Sequence, residues 1–287
     1  MKFSNFFNKD NLTKSFKEIS GCLPEAFGLS LCHTDFQVGA TTNRGYLPQP
    51  RQIQMYLPAD TEFSELAFAV AHEYIHSVQD FCMNYHITAQ TIDNFTDTEL
   101  QNMASEFFST NMTIAGETFR TFVQNSPFFS ADIFPILSYD DVFYVSPQKT
   151  DNDLKDIAAN ANYFTNLTEV MANYYAGLFC KDYCESHNID MKTVSPIIQN
   201  VNEYLQDNYL WIGDRFPLIR SKENFDTQRL ICNLILPRKL EVLSEYNPDF
   251  RDYSKYQWEA LKPIVRDFDE LTDSLEQDAH VLDDDSR

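Results

Sequence analysis

Two residue types recur at a spacing that can do chemistry in Ala71-His72-Glu73-Tyr74-Ile75-His76. If this segment is helical, His72 and His76 lie on one face with Cβ atoms roughly 5–6 Å apart, close enough for both imidazoles to bind one ion. Glu73 then falls about 100° round the helix from His72, beside that ion and free to act on a water held there. This spacing suits hydrolysis at a divalent metal, with zinc as the expected ion, two imidazoles as ligands and a carboxylate as general base.

The preceding segment has to deliver the motif on a helix. Residues 62–71, Glu-Phe-Ser-Glu-Leu-Ala-Phe-Ala-Val-Ala, contain no Pro or Gly and predict a helix over about 62–83. Asp60 or Thr61 is positioned to cap it, and Glu62 and Glu65 suit the positive end of its dipole. Ala67, Ala69, Val70 and Ala71 make it apolar over much of its circumference, the pattern of a buried helix.

A catalytic zinc takes three protein ligands and a water, so a third ligand is required. A further His six residues after the second, reached through a Gly turn, is disfavoured because Gln79 and Cys82 occupy those places. His86 lies past the helix end and would need an unusual turn to reach back. A carboxylate from another helix is the other common solution. Glu169, Glu106, Glu99 and Glu117 are the candidates. Asp80 lies one turn past His76 on the same face, but one helix rarely closes a tetrahedron alone. Glu169 also has a purely structural reading, because Asn166-Leu167-Thr168-Glu169 has the spacing of a capping box.

The run Thr168-Glu169-Val170-Met171-Ala172-Asn173-Tyr174-Tyr175-Ala176-Gly177 resembles the glutamate helix of the gluzincins, the thermolysin-like zinc metallopeptidases. There a Glu ligand is followed one turn later by an Asp that supports a metal-bound His. The resemblance implies a zincin-like fold, one Zn²⁺ held by His72, His76 and Glu169, and hydrolysis of a peptide bond with Glu73 as base. Asn173 stands where the family has Asp; it can accept an imidazole N–H but raises ligand basicity less than a carboxylate would. A donor to the oxyanion is also expected, with Tyr163, Tyr174, Tyr175, Tyr204 and Tyr209 as candidates. A zincin-fold binding protein without turnover, or a helical interaction protein without metal, are the rival readings.

Composition bounds the rest. With 287 residues, 43% of them hydrophobic, the chain can bury a large core, read as one domain over 1–277 followed by an acidic tail at 278–287. A net charge of −21 and the lack of any basic cluster argue against nucleic acid, leaving a peptide or protein substrate as the expected partner. No apolar run approaches a membrane span and the first ten residues lack a signal-peptide core, so a soluble cytoplasmic protein with no membrane partner is expected. The six cysteines form no Cys-x-x-Cys pair and are expected to be reduced, with Cys180 and Cys184 one helical turn apart.

The predicted fold class is α+β and mostly helical, with a small sheet within about residues 1–60. A short helix is predicted over 12–19, and 52–57 alternates as a half-buried strand stopped by Pro58. In zinc peptidases an edge strand beside the motif helix commonly pairs with extended substrate. Further helices are predicted over 97–124, 167–185, 196–208 and 227–236. A long amphipathic helix from about 253 carries Trp258, Leu261, Val265, Phe268, Leu271 and Leu275, with Pro263 bending it near its start. Residues 133–137 and 142–145 read as short strands or a loop, and 152–162 as a polar connection.

Overall fold

The computed structural model describes residues 9–39, 42–135, 137–138, 163, 166–206 and 262–275. In chain order its elements are α1 (Lys9–Phe27), β1 (Thr34–Gly39), β2 (Asn43–Leu47), β3 (Gln52–Pro58), α2 (Phe63–Tyr85), α3 (Asp97–Phe107), α4 (Gly116–Asn125), α5 (Leu167–His187) and α6 (Ser195–Leu205). Residues 262–275 are also helical. The protein is therefore mostly helical with a three-stranded sheet, in agreement with the α+β expectation. The predicted features at 142–145, 152–162, 227–236, 253–261 and 278–287 lie outside the described residues. Among the described residues no helix is long and apolar enough to cross a membrane.

Two compact units can be distinguished, residues 1–130 with 172–195 and residues 131–171 with 196–287. In the first, β3 buries Ile53, Met55 and Leu57 completely and leaves Gln52, Gln54 and Tyr56 half-buried, as its alternating pattern requires. Each buried side chain contributes about 1.5–3 kcal/mol. The sheet order is β1-β3-β2, with β1 parallel and β2 antiparallel to β3. The strand legible in the sequence is thus the central one. The outer strands are β1 and β2, and in β2 the run Asn43-Arg44-Gly45-Tyr46-Leu47 shows no apolar alternation.

Helix α2 packs on β2, β3 and α1. From Ser64 to Cys82 nearly every residue is buried, so it is a core helix as its apolar circumference predicts. Its N-terminus departs from expectation: Glu62 is the N-cap and makes no side-chain cap bond, while the Thr61 hydroxyl donates to Pro58 O at 2.8 Å. Tyr74 is fully buried and donates to Leu29 O at 2.6 Å. Phe27 lies against Tyr74, Phe122, Tyr175 and Phe179. At the start of α2 the Cys180 thiol donates to Ser64 O at 3.4 Å, and the Ser64 and Thr193 hydroxyls are 2.6 Å apart. Phe27 and the Cys180–Ser64 contact thus tie α1, α2 and α5 together in this unit.

The single helix predicted over 97–124 is two helices, α3 and α4. Residues 113–115 are extended and hydrogen-bond to 28–30, with Ser30 N donating to Thr113 O and Ala115 N to Gly28 O, each at 2.8 Å. That long-range pairing outweighs local helical propensity. The first helix is also longer than predicted, and its Pro24 stands in the last turn, where its carbonyl accepts Gly28 N–H.

In the second unit, Asn166 begins α5, its Oδ1 accepting Thr168 N–H at 3.0 Å. Residues 134, 135, 137 and 138 are helical rather than strand, with Leu137 N donating to Ile133 O. Ile264, Val265, Phe268, Leu271 and Leu275 are buried, as the amphipathic stripe predicts. Asn202 Nδ2 and Gln206 Nε2 both donate to Asp269 Oδ1, at 3.3 and 2.6 Å.

Candidate metal centre

Helix α2 brings the motif side chains together. His72 and Glu73 are buried and His76 is half-buried. The Nε2 atoms of the two histidines are 3.1 Å apart, with ring planes 85° to one another. Two nitrogens on one tetrahedral zinc at 2.0–2.1 Å would be about 3.3 Å apart, so the pair is spaced as ligands of a single ion. His72, Glu73 and His76 each offer a ligand atom, all within 4.8 Å of one another, and no other group of this kind occurs among the described residues.

Gln79 orients the second imidazole. Its Oε1 accepts the His76 Nδ1–H at 2.8 Å, which leaves a lone pair on Nε2 facing His72. Two ring nitrogens at that separation are favourable only around a proton or a cation. Gln79 is buried and stands three residues past His76, within reach on a helix. Sequence reasoning used it only to exclude a glycine turn, although its i+3 spacing was the available signal.

Glu73 is held from the sheet. Its Oε2 accepts the backbone N–H of Tyr46 on β2 at 2.7 Å. The Tyr46 hydroxyl donates to Asp80 Oδ2 at 2.6 Å, two turns further along α2. Burial raises the Asp80 carboxyl above its ordinary pKa, opposed by the Tyr46 hydrogen bond and by Arg51. Burial and Asp80 raise the Tyr46 phenol, so it remains a hydrogen-bond donor. Tyr46 was not read from sequence, because its partners lie 27 and 34 residues away and no local pattern marks such a contact.

Asp80, Glu106, Glu99, Glu117 and His86 fall elsewhere. Asp80 is bonded to Tyr46 rather than grouped with the histidines. Glu106 is exposed and lies near Tyr85 at the far end of α2, so it is set aside as third ligand. Glu99 closes a capping box with Thr96 at the start of α3, and Glu117 is exposed on α4. His86 adopts the left-handed conformation that ends α2 and is exposed. Glu169 and Asn173 are both buried on α5, one turn apart. Tyr175 is buried among Phe27, Phe122 and Phe128, and Tyr174 is half-buried against Phe128. Tyr163 is half-buried in the second unit; the side chain of Tyr204 and all of Tyr209 lie outside the described residues.

Cys22, Cys32, Cys82, Cys180 and Cys184 form no disulfide. The Cys180 and Cys184 sulfurs meet at 3.6 Å, buried between α5 and the first turn of α2. In comparisons with known proteins, no family model matches the chain, and neither does any curated protein or solved structure.

Proposed function

We propose that this chain is a zinc-dependent metallopeptidase in which His72, His76 and Glu169 hold the ion and Glu73 is the general base. The reading is carried by the 3.1 Å separation of two buried-side imidazole nitrogens with a carboxylate beside them. Zinc bound there would polarise the scissile carbonyl and lower the pKa of a water from about 16 toward 7. Glu73 accepts the water's proton during attack and delivers it to the leaving amine. A carboxylate offers about four lone-pair sites, so the Tyr46 amide on Oε2 leaves the other oxygen for that water. Gln79 holds His76 in the tautomer a metal ligand needs.

For the third ligand the reading rests on Glu169 as a buried carboxylate on α5, where it resembles the gluzincin ligand in type and spacing, with Asn173 one turn later in place of the family's Asp. Asn173, also buried on that helix, carries an amide oxygen that can accept an imidazole N–H.

The test combines metal analysis with turnover. Native protein is expected to carry one zinc and to create new termini in a whole-cell lysate. Glu73→Gln should keep the zinc and lose turnover by at least about a thousandfold, while His72→Ala and Glu169→Ala should lose the zinc and Glu106→Ala should not. A chain that is isolated empty and cannot be loaded, or a Glu73→Gln variant that cleaves at the parent rate, overturns the reading.

A further inference from the structure

Strand β2 is one of the two outer strands of the sheet, and one of its outward groups is engaged by α2. Along an antiparallel strand, residues alternate between pairing with their neighbour and turning N–H and C=O away from it. The Tyr46 N–H reaches Glu73 rather than β3, so Tyr46 and Arg44 face outward while Gly45 and Leu47 face β3. The same residue grips α2 a second time through its phenol on Asp80. Glu73 and Asp80 are seven residues apart, about 10 Å along one face of the helix, so a single tyrosine spans two turns. Arg51, on the turn leading out of β2, lies close enough to favour the Asp80 charge; its guanidinium donates to Phe107 O at 2.8 Å and covers the Phe107 ring at 3.7 Å.

Resting on the metallopeptidase reading, we propose that Tyr46 is a positioning residue. The Tyr46–Asp80 hydrogen bond clamps the edge strand on α2 so that the Tyr46 amide fixes Glu73 Oε2 and orients the other oxygen for proton transfer. An outward-facing amide on an outer strand has no ladder partner of its own. Two bonds of 2.7 and 2.6 Å through one residue make strand and carboxylate a single unit. A carboxylate free to rotate would spend less time aimed at the water, and a misplacement of about 1 Å can cost on the order of a hundredfold in rate.

Tyr46→Phe keeps the ring and removes only the hydroxyl. Asp80→Ala removes its acceptor, and Asp80→Asn restores one. Hydrogen exchange is read first, on the metal-free proteins. The amide at position 46 is expected to exchange at least about tenfold faster in Tyr46→Phe and Asp80→Ala and near the parent rate in Asp80→Asn, with the Arg44 amide fast throughout. Zinc chloride titration should then give affinities within about twofold of the parent. On a mixed library of quenched decapeptides, kcat should fall about 10–100-fold with KM nearly unchanged, and Asp80→Asn should recover it. Unchanged exchange at position 46 overturns the clamp; accelerated exchange with unchanged kcat overturns the positioning role. A zinc-loaded parent that cleaves nothing overturns the metallopeptidase reading and with it the role of the clamp, whereas the exchange rates still decide whether the clamp exists.

Discussion

At the scale of single residues, the centre is defined as much by what holds the imidazoles and the carboxylate as by those groups themselves. His76 and Gln79 share one short bond, and the glutamine oxygen decides which ring nitrogen keeps its lone pair. Gln79→Leu should therefore weaken zinc binding about 10–100-fold while leaving the fold intact, measured by competition with a chromophoric chelator. An affinity equal to the parent's would show that the His76 ring is oriented by other contacts. His72, Glu73 and His76 are legible in sequence because a helix maps fixed spacing onto fixed geometry. Gln79 obeys the same rule. Tyr46 does not, since its role depends on a strand and a helix meeting across the core.

The elements show where local signals suffice and where they are overridden. The alternation of β3 and the apolar circumference of α2 survive into the structure because each buries the surface its pattern presents. The break between α3 and α4 is set by a distant segment. Gly28 turns the chain out of α1 with φ +82°, and a Cβ there would lie 2.3 Å from Phe119 N in α4. Gly28→Ala should therefore destabilise the protein by at least about 2 kcal/mol, read as a lower urea midpoint with little change in slope. A midpoint within error of the parent would mean that α4 can move away at small cost. Nothing in the local sequence around Gly28 names Phe119 as the atom it must avoid.

For the molecule as a whole, the proposed site would bind its ion only in the folded state, and metal would then add to stability by mass action. Zinc at about a hundred times its Kd should stabilise the protein by about 2.7 kcal/mol, raising the thermal midpoint, and a chelator should reverse it. His72→Ala should abolish the shift, and a parent whose midpoint ignores zinc would argue against a preformed centre. The strongly acidic charge and the lack of basic clusters are properties of composition and needed no structure. Spacing alone places the two imidazoles on one face of a buried helix and the carboxylate about 100° round from His72, because position along one helix is a local quantity. Long-range packing makes β2 an outer strand, joins it to Glu73 through Tyr46, and leaves Glu106 exposed near Tyr85. Those facts depend on contacts between segments far apart in the chain, which no local periodicity encodes.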